Sequence, residues 1–123
     1  VHDGVRPFVT GELIRKSVRA ACEHGAAATA IPVTDTIKRG RDSFFAETLE
    51  RKSLWRVQTP QAFRYNLLLR AYARATGSRK KATDDAALIE ALGEPVAIVE
   101  GAANNIKITL PFDLEVADKV ICK

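Results

Sequence analysis

From Thr10 onward, Leu13, Ile14, Ser17, Val18 and Ala21 recur every three or four positions, which predicts a helix over Gly11 to His24. Thr10 is a favoured N-cap type, and Gly25 supplies the stop. Ala26 to Val33 is a continuous small and apolar run ending at Thr34-Asp35, the signature of a central strand buried on both faces. Thr36-Ile37-Lys38 and Phe44 to Leu49 flank the charged turn Gly40-Arg41-Asp42-Ser43, predicting a protruding hairpin over residues 35 to 51 with little core of its own. Thr59-Pro60-Gln61 is expected to break the chain. Leu67, Leu68, Ala71, Tyr72 and Ala75 then return at helical spacing up to Gly77. Thr83, with Asp84 and Asp85 behind it, predicts a helix start that sets acidic residues on the positive end of the dipole, and this helix runs to Gly93. Val96 to Val99 reads as a short buried strand and Ile106 to Leu110 as a further, alternating one. Pro111 opens a terminal helix carrying Leu114, Val116, Ala117 and Val120.

Strands alternating with helices predict an α/β layer, a largely parallel sheet covered by helices, in one domain spanning residues 1–123. Composition fits that picture: 46% of the 123 residues are hydrophobic and 28% charged. No run approaches the roughly 18 apolar residues of a membrane span, and Val1-His2-Asp3-Gly4 is unlike a secretory signal, so a soluble, intracellular protein is expected. Cys22 and Cys122 stand apart without metal-ligand spacing and are expected to be reduced core residues. The net charge of +4 suits an anionic ligand. Because Lys and Arg are scattered among Asp and Glu, with no basic stripe, nucleic-acid binding is not supported.

In parallel sheets the ligand site forms at the carboxyl ends of strands. Three polar clusters fall at such places: Asp3 with Arg6, Thr34-Asp35-Thr36, and Asn104-Asn105-Ile106-Lys107. Asp3 and Arg6 suit a site where a carboxylate binds hydroxyls or a hydrated cation while the arginine grips a phosphate; a surface salt bridge is the alternative. Lys107 faces away from Ile106 and Ile108, which sends it either into a cleft or out from an edge strand as a solvated lysine. Thr83-Asp84-Asp85 is either plain capping or an anion-binding helix start. Trp55 is expected to anchor a core or an interface.

Taken in order, His2-Asp3-Gly4-Val5-Arg6-Pro7, Pro32-Val33-Thr34-Asp35-Thr36-Ile37-Lys38, Arg51, Leu54-Trp55, Gln58-Thr59-Pro60-Gln61-Ala62-Phe63, Thr83-Asp84-Asp85-Ala86 and Asn105-Ile106-Lys107-Ile108-Thr109 resemble the 2-C-methyl-D-erythritol 4-phosphate cytidylyltransferases of the non-mevalonate isoprenoid pathway. The resemblance covers essentially the whole chain. It implies a partial Rossmann-like nucleotidyltransferase sheet, mostly parallel, with a protruding β-hairpin arm. It also implies cytidylyl transfer from CTP to methylerythritol phosphate with Mg²⁺ held mainly through the nucleotide phosphates. Asp3, Arg6, Thr36, Thr59, Thr83 and Lys107 correspond to the pocket for the sugar phosphate, with Asp3 and Lys107 as the catalytic pair. Arg51 corresponds to the arginine that reaches a neighbouring subunit, which makes the hairpin the dimerisation arm of a homodimer; an exposed arginine beside Glu50 is its other reading. The related ribitol-5-phosphate cytidylyltransferases share several of these elements, but Lys38 and Leu54-Trp55 look more like the methylerythritol enzymes. A non-catalytic sugar-phosphate-binding or dimerisation module is a further alternative.

The family's glycine-rich CTP-binding loop has no counterpart among the widely spaced glycines here, so the chain reads as the carboxy-terminal part of one nucleotidyltransferase domain. Little activity alone, and association with itself or with a separate amino-terminal fragment, are expected. The resemblance implies the cytoplasm of a bacterium or the plastid stroma of a plant.

Overall fold

A computed structural model describes residues 1–75 and 82–121. Gly77, expected to end a helix, and Cys122 lie outside the described residues.

Helix α1 spans Gly11–His24; the Thr10 hydroxyl accepts the Leu13 N–H, and Gly25, at φ +92°, closes the helix by donating to the Ala21 carbonyl. Its buried stripe is narrower than expected. Leu13, Ser17 and Ala21 face inward, whereas Ile14 and Val18 are exposed. Strand β1 (Ala26–Pro32) follows and is central, as its continuous apolar run predicts. It pairs antiparallel with β4 (Trp55–Phe63) and parallel with β5 (Ala97–Glu100). The largely parallel sheet expected from the sequence is therefore a mixed one of three strands, because β4 enters from a hairpin arm rather than through a crossover helix.

Successive β1 side chains point to opposite faces, which decides what packs where. Ala27 joins Leu13, Ala21 and Val99 beneath α1. Ala26 joins Ala71 and Ile89 beneath helices α2 (Tyr65–Ala75) and α3 (Asp85–Ala91) on the other side. Ser17 and Thr29 are wholly buried yet satisfied: Ser17 Oγ donates to the Leu13 carbonyl, Thr29 Oγ1 donates to the Pro60 carbonyl at 2.7 Å, and the two hydroxyls lie 3.2 Å apart.

The arm is a separate two-stranded sheet, β2 (Lys38–Arg41) against β3 (Phe44–Thr48). Asp42 and Ser43 both take positive φ, as a two-residue hairpin turn requires, and every residue of the arm's strands is exposed. A short 3-10 turn, Arg51–Ser53, leads back into β4.

Thr59-Pro60-Gln61 does not break the chain. It lies inside β4, with a cis Thr59-Pro60 peptide, where pairing with β1 jumps from Ala28↔Gln61 to Ala30↔Val57. That bulge tolerates a residue without an N–H. Ile106 to Leu110 is not a strand either. Its alternation is one of burial, with Ile106 and Ile108 more covered than Lys107 and Thr109, and Ile108 N–H reaches the Val5 carbonyl. Helix α3 is capped by Asp84, which accepts the Ala87 N–H, so Thr83 sits one residue before the cap instead of serving as it. Cys22 is exposed on α1 rather than in the core. The terminal helix α4 (Pro111–Ile121) buries Ala117, while Leu114 and Val120 remain outward. Among the described residues no helix is long and apolar enough to cross a membrane.

Candidate active site

The site grows from the bulge in β4. Val1 exchanges backbone hydrogen bonds in both directions with Gln61, which fastens the first residues to the outer edge of that strand. Residues 3 to 6 then turn, with Arg6 N–H bonded to the Asp3 carbonyl. The bulge re-aims Thr59 towards this turn, where its Oγ1 accepts the Asp3 N–H at 3.0 Å. From the far side the loop after β5 brings Asn105 and Lys107. Asn105 is wholly buried and donates from Nδ2 to the Thr59 carbonyl at 2.8 Å, while its own carbonyl accepts Arg6 Nη1 at 2.7 Å. Two distant segments of the chain thus meet on one strand.

Asp3 lies between two cations. Arg6 Nε donates to Asp3 Oδ2 at 3.1 Å, and Lys107 Nζ lies 3.2 Å from the same oxygen. Burial pushes the Asp3 carboxyl upward, but the hydrogen bonds and charges of Lys107 and Arg6 outweigh it and hold the group below its usual range. The Arg6 side chain is only 10% exposed and committed to Asp3 and Asn105, so it is the fixed member; Lys107, at 46%, is the one able to turn towards a ligand. The three side chains together carry one net positive charge.

They line an open cleft of about 420 Å³ together with Val57, Gln58, Thr59, Gln61, Thr83, Asp84 and Asp85. Gln61 secures the start of α3 by donating from Nε2 to Asp84 Oδ2 at 2.8 Å while its Oε1 accepts the Ala86 N–H. The result is a polar pocket lined by cations, carboxylates, hydroxyls and amides, suited to an anionic ligand that also carries hydroxyls.

Asp3, Arg6, Thr59, Thr83 and Lys107 therefore share one cleft. Thr36 and Arg51 do not join them. They line a recess of about 300 Å³ at the base of the arm with Thr48, Leu49 and Glu50, and Arg51 Nη1 donates to the Thr34 carbonyl. Residue-type reasoning placed Asn105 in one of the three polar clusters but gave no role to His2 or to the amide side chains of Gln58 and Gln61. The available signal was two glutamines flanking Thr59-Pro60 within a strand-length segment, where a bulge would turn both inward.

Among the described residues no three His, Cys, Asp or Glu side chains converge to hold an ion, and Asp3 Oδ2 is already shared by two cations.

The crystal structure of 2-C-methyl-D-erythritol 4-phosphate cytidylyltransferase from Thermus thermophilus superposes with a TM-score of 0.91 at 41% identity, covering 100% of this chain and 61% of that one. The class is thus a nucleotidyltransferase-like α/β fold. The family described as IspD, 2-C-methyl-D-erythritol 4-phosphate cytidylyltransferase, matches residues 1–123, and the chain belongs to it. Relatives bearing that description from Pelotomaculum thermopropionicum and Bacillus velezensis are 53% and 54% identical over 98% of the chain. The chain spans 51% and 53% of their respective lengths, about half.

Proposed function

We propose that this chain supplies the sugar-phosphate half of an enzyme that transfers a cytidylyl group from CTP to 2-C-methyl-D-erythritol 4-phosphate. The observation that carries this reading is the Asp3–Arg6–Lys107 cluster at the head of a polar cleft in a chain of this family. A phosphate oxygen of the sugar attacks the α-phosphorus of CTP, a new P–O bond forms, and the bond to the β-phosphate oxygen breaks with release of pyrophosphate. No protein nucleophile is needed. The reaction joins two anions, so the protein must hold them together against repulsion and stabilise the charge gathering on the α-phosphate.

In this reading Lys107 contributes that stabilisation, Asp3 orients hydroxyls and the Lys107 ammonium, and Arg6 keeps Asp3 ionised. Thr59 and Thr83 line the pocket. Magnesium would arrive on the nucleotide phosphates, since among the described residues no three His, Cys, Asp or Glu side chains cluster to hold it. CTP itself binds in an amino-terminal part of the same domain that this chain does not include. Arg51 and Thr36 serve the site of a second subunit, with the arm of residues 35 to 51 bridging a homodimer. Phe44 and Phe45 at its tip, both exposed, favour burial against another chain. The matched relatives are bacterial, which favours the bacterial cytoplasm over the plastid.

Pyrophosphate release by the full-length protein tests the reading. Methylerythritol phosphate is expected to support turnover and ribitol 5-phosphate to support little; the reverse order would transfer the assignment to the ribitol enzymes. Lys107→Ala is expected to lower kcat about a hundredfold, the usual loss when one charge-stabilising donor is removed. Near-normal turnover would exclude Lys107 from the chemistry.

A further inference from the structure

His2 has no role in the chemistry above, yet its ring touches the far end of the turn that carries Asp3 and Arg6 and also the Thr59 hydroxyl that holds the near end. Nε2 lies 3.1 Å from the Arg6 carbonyl, and Nδ1 lies 2.8 Å from the Thr59 hydroxyl. A carbonyl oxygen only accepts, so the hydrogen of that first contact sits on Nε2. Thr59 Oγ1 already accepts the Asp3 N–H at 3.0 Å, which leaves its own hydrogen to donate. In the Nε2–H tautomer, Nδ1 presents the lone pair that receives it.

Every atom then has one part in a continuous chain. Asp3 N–H donates to Thr59, Thr59 donates to His2, and His2 donates to Arg6. The Nδ1–H tautomer would instead point a lone pair at the Arg6 carbonyl and lose that contact. We propose that His2, as the neutral Nε2–H tautomer, is a positioning residue that fixes Asp3 and Arg6 at the cleft through this three-bond relay. The ring touches no reacting group and acts only through the turn. Such a clasp suits a loop whose other ties include the Val1–Gln61 pairing, the hydrogen bond from Ile108 to Val5, the Arg6–Asn105 bond and the Lys107–Asp3 ion pair. Residues 3 to 6 have no strand ladder to hold them.

The geometry can be tested apart from the chemistry. The ¹⁵N shifts of the His2 ring, recorded on this chain at about pH 8 where an ordinary imidazole is neutral, report the tautomer directly. A protonated Nε2 with an unprotonated Nδ1 is expected; a dominant Nδ1–H form, or fast averaging of the two, overturns the proposal. The consequence for turnover rests on the proposed cytidylyl transfer. In the full-length protein, His2→Ala is expected to raise the KM for methylerythritol phosphate about tenfold, the scale of one or two lost hydrogen bonds, with the KM for CTP within about twofold. His2→Gln places an amide donor near the Nε2 position and should recover part of the loss. Equal rises in both KM values, or no recovery with Gln, contradict a role confined to the turn. If the unaltered protein transfers no cytidylyl group, the functional reading falls while the ring tautomer still decides the relay.

Discussion

A Cβ at position 101 would lie 2.4 Å from Gln58 Oε1 and 2.8 Å from Thr29 Cγ2. The glutamine cannot swing aside freely, because its Nε2 donates to the Ala102 carbonyl at 3.0 Å. Gly101→Ala is therefore expected to cost about 1–3 kcal/mol, as overpacking does, and to lower the midpoint of urea unfolding. An unchanged midpoint would mean that the amide yields. Asp3 makes a second prediction at this scale. Its folded carboxyl titrates below the ordinary value of 3.8, so the contribution of the ionised cluster is fully present above that value and is lost as pH falls through the lower folded one. Carboxyl NMR should place the Asp3 midpoint under 3.8, and Lys107→Ala should move it upward. Asp3, Arg6 and Lys107 could be picked from the sequence because charged residues in loops beside strands suggest ligands. His2 could not, since what gives it meaning is a partner 57 positions away in Thr59.

The bulged strand β4 is the element on which the site is assembled, and Asn105 is the side chain that braces it. Asn105→Ala would leave the buried Thr59 carbonyl without that donor, a loss of about 1–3 kcal/mol. Asn105 Oδ1 has no hydrogen-bond partner among the described residues, so the variant also removes an unsatisfied atom. The net destabilisation should fall near the lower end of that range, by about 1 kcal/mol in denaturant unfolding. Helices α1, α2 and α4 were legible because apolar residues at three- and four-residue intervals leave little else to form. β4 was not, because proline normally terminates pairing and the sequence carries no mark of the bulge that accommodates it. The alternation at 106 to 110 misled for a related reason: period two records which side chains are covered, and a loop lying across a cleft covers every second one as well as a strand does.

Across the whole molecule, the arm and the cleft hold the proposed site residues in two separate groups. If Arg51 completes a partner's pocket, mixing an Arg51→Ala subunit with an Asp3→Asn subunit should restore one working site per heterodimer in the full-length enzyme, to about half the activity per dimer. A mixture that stays dead although heterodimers form would confine each site to a single subunit. The α/β class and the protruding arm were legible from alternating periodicities. The mixed sheet was not, because strand order and direction depend on where the arm returns the chain. The interior has its own consequence. Its filling is mostly alanine, while Phe44, Phe45, Tyr65 and Phe112 stand outside. A dye such as ANS, which brightens on greasy surfaces, should therefore fluoresce on the intact native chain, and brightness that elsewhere signals a molten state would here report its ordinary exterior.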